Sequence, residues 1–261
     1  MEDAQEILNW YILAGVDELC AQTTQNFLAS EKAPTAQPLT KILPTSEKTR
    51  PATTLLAQTT NVACVNAQDI CAQAQTLDDL KALLESFEGC ALKFSANSTV
   101  FGYGNPHAEI MIIGEAPGAD EDRIGEPFVG RSGHLLDKIL QAAGYNREDC
   151  YITNVLPWRP PGNRTPTDSE VAVCLPFLRR QIELVDPKIL LLLGGSAAKA
   201  LLNTAESVSQ LRGRVLDYVA QNGKVYPSLT SYHPAYLLRT PAQKGKVWAD
   251  MLRLNRKLAE M

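Results

Sequence analysis

The sequence predicts a three-layer α/β/α sandwich around a mostly parallel central sheet. Short apolar runs occur at residues 108–114, 150–156 and 188–195, and each has the length of a strand buried on both faces. Segments with helical apolar spacing separate these runs, which is the alternation typical of a parallel sheet. Ligands of such sheets bind at the carboxyl ends of the strands. We therefore expect the functional site in the loops after Ile113, Asn154, Gly194 and Thr230.

Three segments of different composition divide the chain. Residues 1–29 place apolar side chains near helical spacing and predict an amphipathic helix. Residues 30–75 are rich in Pro, Ala, Thr and Gln, offer no apolar face to pack, and predict a flexible linker. Residues 76–261 contain the alternating strands and helices and form the predicted catalytic domain.

Caps and periodicity give the elements of this domain in order. A helix is predicted at residues 76–89, with Thr76 as N-cap and Gly89 as C-terminal cap. A second helix is predicted after the first strand, with Ser132 as its cap. The remaining predictions are helices at 167–185, 196–203 and 245–259 and a hairpin-like strand pair within 212–230.

The net charge of −4 conceals a gradient along the chain. Residues 1–88 carry a net charge of −7 and residues 151–261 carry +7. A basic C-terminal part fits an anionic partner such as nucleic acid, and it equally fits a solvated surface. No apolar run approaches the roughly 18 residues of a membrane span and the N-terminus lacks a basic leader, so we expect a cytoplasmic protein. The six cysteines form no C-x-x-C pair, which indicates reduced core thiols.

The stretch GEPFVGRSGH at residues 125–134 is similar to a phosphate-binding loop. Its details disagree with nucleotide hydrolysis. Pro127 removes a backbone donor, Arg131 replaces the expected lysine, and no apolar strand ends in an aspartate that would hold Mg²⁺. An NTPase stays the weakest hypothesis for this chain.

Five motifs follow the strand ends in a fixed order. They are GEAPGADED (114–122), EPFVGRSG (126–133), YITNV (151–155), RPPGNRTP (159–166) and HPAYLLR (233–239). In this order and at these separations they resemble a family 4 uracil-DNA glycosylase, and the resemblance covers residues 87–258. It implies excision of uracil from DNA by hydrolysis of the N-glycosidic bond, which leaves an abasic site and initiates base-excision repair.

The resemblance also assigns the substrate site. Glu115 corresponds to the catalytic carboxylate that orients water or stabilises the sugar cation, and His233 to the histidine that hydrogen-bonds uracil O2. Phe128 corresponds to the aromatic that stacks on the flipped base, Asn154 to the amide that reads its edge, and Gly114 to a further substrate-binding position. Without this context the same residues also fit a helix cap, a structural histidine, a core aromatic and a turn asparagine.

The resemblance further implies a DNA-contacting surface. Leu237 and Leu238 are expected to fill the space that the flipped base leaves, and Arg239 to bind a phosphate. Other expected DNA contacts are Arg131, Arg159, Asn163 and Arg164.

Family 4 enzymes carry a [4Fe–4S] cluster on four cysteines, and this chain departs from that pattern. The corresponding positions are Phe87, Cys90, Trp158 and Cys174, so two of the four thiolates are missing. We predict that no cluster binds and that the two aromatic rings fill its volume. The alternative is an unusual cluster or a zinc site with fewer cysteine ligands.

Two functional hypotheses therefore lead. The first is an active, monofunctional uracil-DNA glycosylase without cofactor that acts as a monomer on DNA containing uracil. The second is a DNA-binding or partner-recruiting protein of the same fold with weak or lost activity. In either case the N-terminal helix is a candidate arm for a protein partner, and no membrane is involved.

Overall fold

The computed structural model describes residues 64–261, and its centre is a six-stranded sheet. The strands lie in the order β1-β3-β2-β4-β6-β5. β2, β3, β4 and β6 run parallel, and β1 and β5 pair antiparallel at the two edges. The strand bounds are β1 Tyr103–Gly104, β2 Ile110–Gly114, β3 Tyr151–Asn154, β4 Ile189–Leu193, β5 Val215–Val219 and β6 Val225–Ser231.

Helices cover both faces of the sheet. One face packs against α4, α8 and α9, which bury Leu136, Leu237 and Met251. The other face packs against α5 and α6, which bury Ile182 and Ala197. The predicted three-layer α/β/α sandwich is confirmed. The described helices are α1 (residues 64–71), α2 Leu77–Ser86, α3 Ala119–Ile124, α4 Arg131–Ala142, α5 Asp168–Val185, α6 Gly195–Leu202, α7 Val208–Leu211, α8 Pro234–Arg239 and α9 Lys244–Ala259.

The register of the parallel strands brings their carboxyl ends to one edge. Gly114 at the end of β2 is paired with Asn154 at the end of β3, and Leu193 of β4 is paired with Ser231 of β6. Every residue of β2, β3 and β4 is buried. The loops that leave these strands therefore share one edge of the sheet, as the apolar runs predict.

Two predicted helix caps are wrong. α2 has its N-cap at Thr76 as expected, but it ends at Ser86 rather than near Gly89, because Phe87 takes extended backbone. The Phe87 ring packs on Phe177 with centroids 5.1 Å apart, which turns the chain inward there. α4 begins one residue before Ser132, and its N-cap is Gly130.

A third apolar cluster lies among α1, α2 and α5. It encloses Ala67, Cys71 and Ala74 of the segment that the composition assigns to the linker. Arg180 of α5 donates to the carbonyl of Ala74 at 2.7 Å, which fixes this segment against the domain. The predicted linker boundary at residue 75 is therefore too late, because residues 64–75 supply a small apolar face that the domain buries. The predicted N-terminal helix and the rest of the linker, residues 1–63, lie outside the described residues.

Within residues 64–261 no helix combines the length and apolarity that crossing a bilayer requires.

Candidate active site

A cavity of ≈ 460 Å³ opens at the carboxyl edge of the sheet. Its lining comes from the loops after β2, β3 and β6 and from the loop between α3 and α4. Segments more than 100 residues apart in the chain therefore meet there. The lining includes Glu115, Gly118, Glu121, Phe128, Ser132, Asn154, Asn163, Arg164, His233, Tyr236 and Arg239.

Gly114 is not among the residues that line this cavity, but two lining residues approach it so closely that a side chain there would meet them. A Cβ there would lie 2.4 Å from Oδ1 of Asn154 and 2.6 Å from Cζ of Phe128. Glycine thus lets the amide and the aromatic ring approach the end of β2 closely. Among the described residues the Asn154 amide has no hydrogen-bond partner, so its donors and its acceptor are available to a ligand.

Phe128 is held in a conformation that non-glycine residues rarely adopt. Its φ is 55°, in the left-handed region, and its side chain is 4% exposed. Arg147 donates to the Phe128 carbonyl at 2.9 Å and to Asp137 at 3.1 Å. α4 also passes very close, since a Cβ at Gly133 would lie 1.7 Å from the Phe128 carbonyl oxygen. The surrounding structure therefore fixes a strained backbone that presents the ring to the cavity.

Glu121 holds the same loop from the other side. One carboxylate oxygen accepts hydrogen bonds from the backbone N–H groups of Val129 at 3.0 Å and Gly130 at 2.9 Å, and the other accepts from Gly118 at 3.1 Å. In a phosphate-binding loop such N–H groups would face a phosphate. Here the internal carboxylate takes that place, which argues against the nucleotide-hydrolysis hypothesis.

Sequence reasoning missed both Glu121 and Arg147. The available signal for Glu121 was an acid three residues after Gly118, the spacing of a capping box. That signal predicts a local cap and says nothing of the contact to Gly130. For Arg147 the sequence offers no comparable signal, because its partners lie at least 10 residues away.

His233 is the N-cap of α8 and lies beside Phe128. The two rings are stacked, with centroids 5.5 Å apart and planes 29° apart. The Nδ1 atom of His233 accepts a hydrogen bond from the Ala235 N–H at 3.2 Å. Burial, assisted by the charge of Arg239, lowers the pKa of His233 to about 4. The neutral ring with an accepting Nδ1 carries its proton on Nε2, so Nε2 is a hydrogen-bond donor at neutral pH.

Glu115 follows the last residue of β2 and lies between two cavities. Besides the cavity described above, it lines a neighbouring cavity of ≈ 360 Å³ whose lining also includes Val155, Leu175 and Lys199. Its carboxylate accepts a hydrogen bond from the hydroxyl of Ser196, at the start of α6. Glu115 thus lines the cavity directly after the end of β2, in the position that the strand-end rule predicts.

The predicted DNA-contacting leucines differ in exposure. Leu238 is 40% exposed, and Arg239 beside it is exposed and lines the cavity. Leu237 is 0% exposed and belongs to the core between α8 and the sheet. The prediction that Leu237 inserts into DNA is therefore wrong, because α8 turns that side chain inward. Arg131 is exposed at the first position of α4.

The proline-rich loop after β3 carries the other predicted contacts. The Arg159 Nε donates to Asn163 at 2.7 Å, and its guanidinium lies 4.0 Å from Asp122. Arg164 makes a two-pronged ion pair with Glu170 at 2.6 and 2.9 Å. This hydrogen-bonded pairing with Arg164 lowers the pKa of Glu170 to about 2. Arg164 lines the cavity and Arg159 does not, and each of the two cations already has a partner in the protein.

The residues at the four cluster positions do not fit a [4Fe–4S] cluster. Phe87 and Trp158 are 3% and 1% exposed and fill the space, and the Trp158 indole donates to Thr99 at 3.0 Å. Cys90 and Cys174 are buried side by side: the hydrogen bond between their thiols lowers the pKa of Cys90 and, with burial, raises that of Cys174. In residues 64–261 no three His, Cys, Asp or Glu side chains are grouped so that they could hold a metal ion.

Comparison with known proteins gives a consistent result. The family model of the uracil DNA glycosylase superfamily matches residues 101–252. The chain is 40% identical to the Type-4 uracil-DNA glycosylase of Archaeoglobus fulgidus over 185 residues, which cover 69% of this chain and 92% of that protein. It is 42% identical to the Type-4 uracil-DNA glycosylase of Thermotoga maritima over 151 residues, which cover 58% of this chain and 77% of that protein. A Type-4 uracil-DNA glycosylase of Pyrobaculum aerophilum is 40% identical over 67% of this chain and 91% of its own length.

Proposed function

The chain belongs to the uracil-DNA glycosylase superfamily, and from that premise we propose that it excises uracil from DNA. The reaction hydrolyses the bond between the sugar C1′ and the base N1, releases free uracil and leaves an abasic site. The product is the starting point of base-excision repair. The lining of the described cavity contains no lysine whose amine could attack the abasic sugar and lead to strand cleavage, which supports a monofunctional glycosylase.

One observation carries this proposal. Phe128, Asn154 and His233 come from three distant segments and line one cavity of ≈ 460 Å³ together with Glu115. A planar face, an unpaired amide, an imidazole donor and a carboxylate are the groups that a flipped pyrimidine and its breaking glycosidic bond require. The presence of this set in one cavity favours base excision over DNA binding alone.

Base recognition is proposed to rest on Asn154 and Phe128. Uracil presents an N3–H donor beside the O4 acceptor, and a carboxamide can accept from the first while it donates to the second. Cytosine presents the opposite pair at these atoms, so an Asn154 amide held in the orientation that fits uracil would place donor against donor and acceptor against acceptor. The Phe128 ring offers a stacking face, worth about 1–3 kcal/mol for a base.

Bond cleavage is proposed to rest on His233 and Glu115. The base leaves as an anion, and the His233 Nε2–H donates to O2 where this negative charge develops. Because the imidazole is neutral above pH of about 4, it stabilises the anion through a hydrogen bond rather than through its own charge. Glu115 faces the sugar, where a carboxylate stabilises the oxocarbenium-like transition state and orients the attacking water.

DNA binding is proposed to use the rim of the cavity. Leu238 is the apolar side chain placed to fill the vacated stack, and Arg239 is placed to meet a phosphate. Arg131, Arg159, Asn163 and Arg164 add further polar contacts along the same edge. The net charge of +7 over residues 151–261 supports this assignment.

We further propose that the enzyme works without an iron–sulfur cluster. The packing of Phe87 and Trp158 supports this, because both rings are buried in the same apolar cluster as Cys90 and Cys174 and neither ring can ligate iron. The cytoplasmic location, the monomeric state and the partner-binding role of residues 1–29 stay predictions.

The function is tested by incubating the full chain with single- and double-stranded oligonucleotides that contain one uracil, followed by alkali. We expect strand cleavage at the uracil with the wild type and its near-complete loss in Glu115→Gln. The matched control is Glu126→Gln, since Glu126 is exposed and does not line the cavity. Tight binding of uracil-containing DNA by the wild type without cleavage would contradict the proposal and favour a binding protein.

A further inference from the structure

Ser196 lies at the junction of β4 and α6, directly behind Glu115. It is the second residue of α6, and its hydroxyl donates to Oε2 of Glu115. Among the described residues, no other group donates a hydrogen bond to the Glu115 side chain. The two side chains are 81 positions apart in the chain, so the contact is a product of the fold rather than of local sequence.

The Glu115 carboxylate needs such a partner because it borders open space on two sides. It lines both the substrate cavity and the neighbouring cavity of ≈ 360 Å³. A glutamate side chain has three rotatable bonds, and without a fixed contact its carboxylate could turn into either cavity. A hydrogen bond to one oxygen selects one orientation and leaves the other oxygen free for a water molecule or the sugar.

The same turn also contacts His233. Gly194 has a φ of 95°, and a Cβ there would lie 3.3 Å from Cβ of His233. The Gly194 N–H donates to the carbonyl of Ser231 at 2.9 Å, which ties the turn to the end of β6. The turn at residues 194–196 therefore hydrogen-bonds the carboxylate of Glu115 through Ser196 and, at Gly194, passes so close to the His233 side chain that an added Cβ would meet it.

We propose that Ser196 is a positioning residue for Glu115, a role that rests on the proposed glycosylase function. The hydroxyl does not touch substrate. It holds Oε2 on the side of the neighbouring cavity, which Ser196 itself lines, and so leaves the other carboxylate oxygen for the substrate cavity. Its loss should slow the chemical step and leave DNA binding unchanged, because misplacement of a catalytic group by about 1 Å can cost up to about 100-fold in rate.

A matched pair of substitutions isolates the hydroxyl. Ser196→Thr keeps the donor and adds a methyl group, and Ser196→Val has the same shape as threonine without the donor. Ser196 borders the ≈ 360 Å³ cavity, which gives the added methyl group room. Ser196→Ala removes the donor without adding volume. Ser86→Ala is the control, since Ser86 is exposed at the end of α2 and its hydroxyl bonds only the Leu83 carbonyl.

The experiment measures single-turnover uracil excision and, separately, affinity for a duplex carrying 2′-fluorinated deoxyuridine, which resists cleavage. We expect Ser196→Ala and Ser196→Val to lower the excision rate about 10- to 100-fold with unchanged affinity, and Ser196→Thr and Ser86→Ala to stay near the wild-type rate. Equal rates for Ser196→Val and Ser196→Thr would overturn the inference, as would a loss confined to affinity. If the wild type itself excises no uracil, the proposed function fails first, so the two failures are distinguishable.

Discussion

Replacing Glu121 should release the loop that carries Phe128. The carboxylate is 8% exposed and accepts three backbone hydrogen bonds at 2.9–3.1 Å, two of them from the loop residues Val129 and Gly130. Phe128 occupies a left-handed backbone conformation that a non-glycine residue adopts only under constraint. Loss of Glu121 should therefore lower both the stability of the domain and the rate of excision.

The size of the effect follows from the number of donors that lose their acceptor. A buried N–H group left without a partner costs about 1–3 kcal/mol. Glu121→Ala leaves three such groups, but they lie beside a cavity from which water can reach them, so the free energy of unfolding should fall by about 3–6 kcal/mol. Glu121→Gln keeps one oxygen for Val129 and Gly130 but turns an NH₂ group toward the Gly118 N–H. Its cost should be about 1–3 kcal/mol.

Urea unfolding with linear extrapolation measures these differences, and the oligonucleotide assay measures excision by the same preparations. Asp120→Asn is the matched control, because within residues 64–261 the neighbouring Asp120 side chain pairs only with Arg123, on the surface. Its stability should stay within about 0.5 kcal/mol of the wild type. Wild-type stability and wild-type excision in Glu121→Ala would refute the idea that this carboxylate holds the loop.

Three further predictions concern the leucines, the histidine and the cluster positions. Leu237→Ala should lower the free energy of unfolding by about 2–5 kcal/mol because Leu237 is 0% exposed. Leu238→Ala should leave the free energy of unfolding unchanged and weaken binding to uracil-containing duplex. Equal effects of the two substitutions on stability would contradict the different placement of the two side chains. The pKa of His233 is lowered to about 4, so between that pH and about 6.5 the unfolded chain binds a proton that the folded chain does not. Stability should therefore fall by up to about 3 kcal/mol as the pH falls through this window, and urea unfolding of His233→Asn should lack that slope. When the full chain is expressed with iron and purified without oxygen, it should contain far less than the four irons per chain of a [4Fe–4S] cluster. A brown protein with stoichiometric iron and sulfide would contradict the conclusion that Phe87 and Trp158 replace the cluster.

The layers of the fold are readable from the sequence because the central strands are apolar without interruption. β2 and β4 are buried on both faces, and such runs leave few alternatives to a parallel sheet between helices. The short helices α3 and α8 are less readable, since each has six residues and too few turns to show a period. The position of the site follows from the strand ends, which is why Glu115 and Asn154 are found at the edge where the strand order places them.

The choice between neighbouring residues depends on packing that the sequence does not contain. Leu237 and Leu238 are chemically identical, and only the orientation of α8 against the sheet buries the first and exposes the second. Glu121 reads as an ordinary acid in the first turn of a helix, while its contacts with Val129 and Gly130 depend on how the following loop folds back. Ser196 gives no sign of its role because its partner Glu115 lies on another strand end.

The most direct test of the central claim is chromatographic detection of free uracil after incubation of the full chain with uracil-containing DNA. Matched DNA containing cytosine or thymine at the same position is the comparison, since cytosine presents the opposite donor and acceptor to the proposed Asn154 pairing and thymine carries an additional methyl group at C5. We predict release of one free uracil per abasic site formed, with no free base from the other two DNAs. Intact uracil-containing DNA, or strand cutting without free uracil, would contradict the assignment of this site to glycosidic hydrolysis.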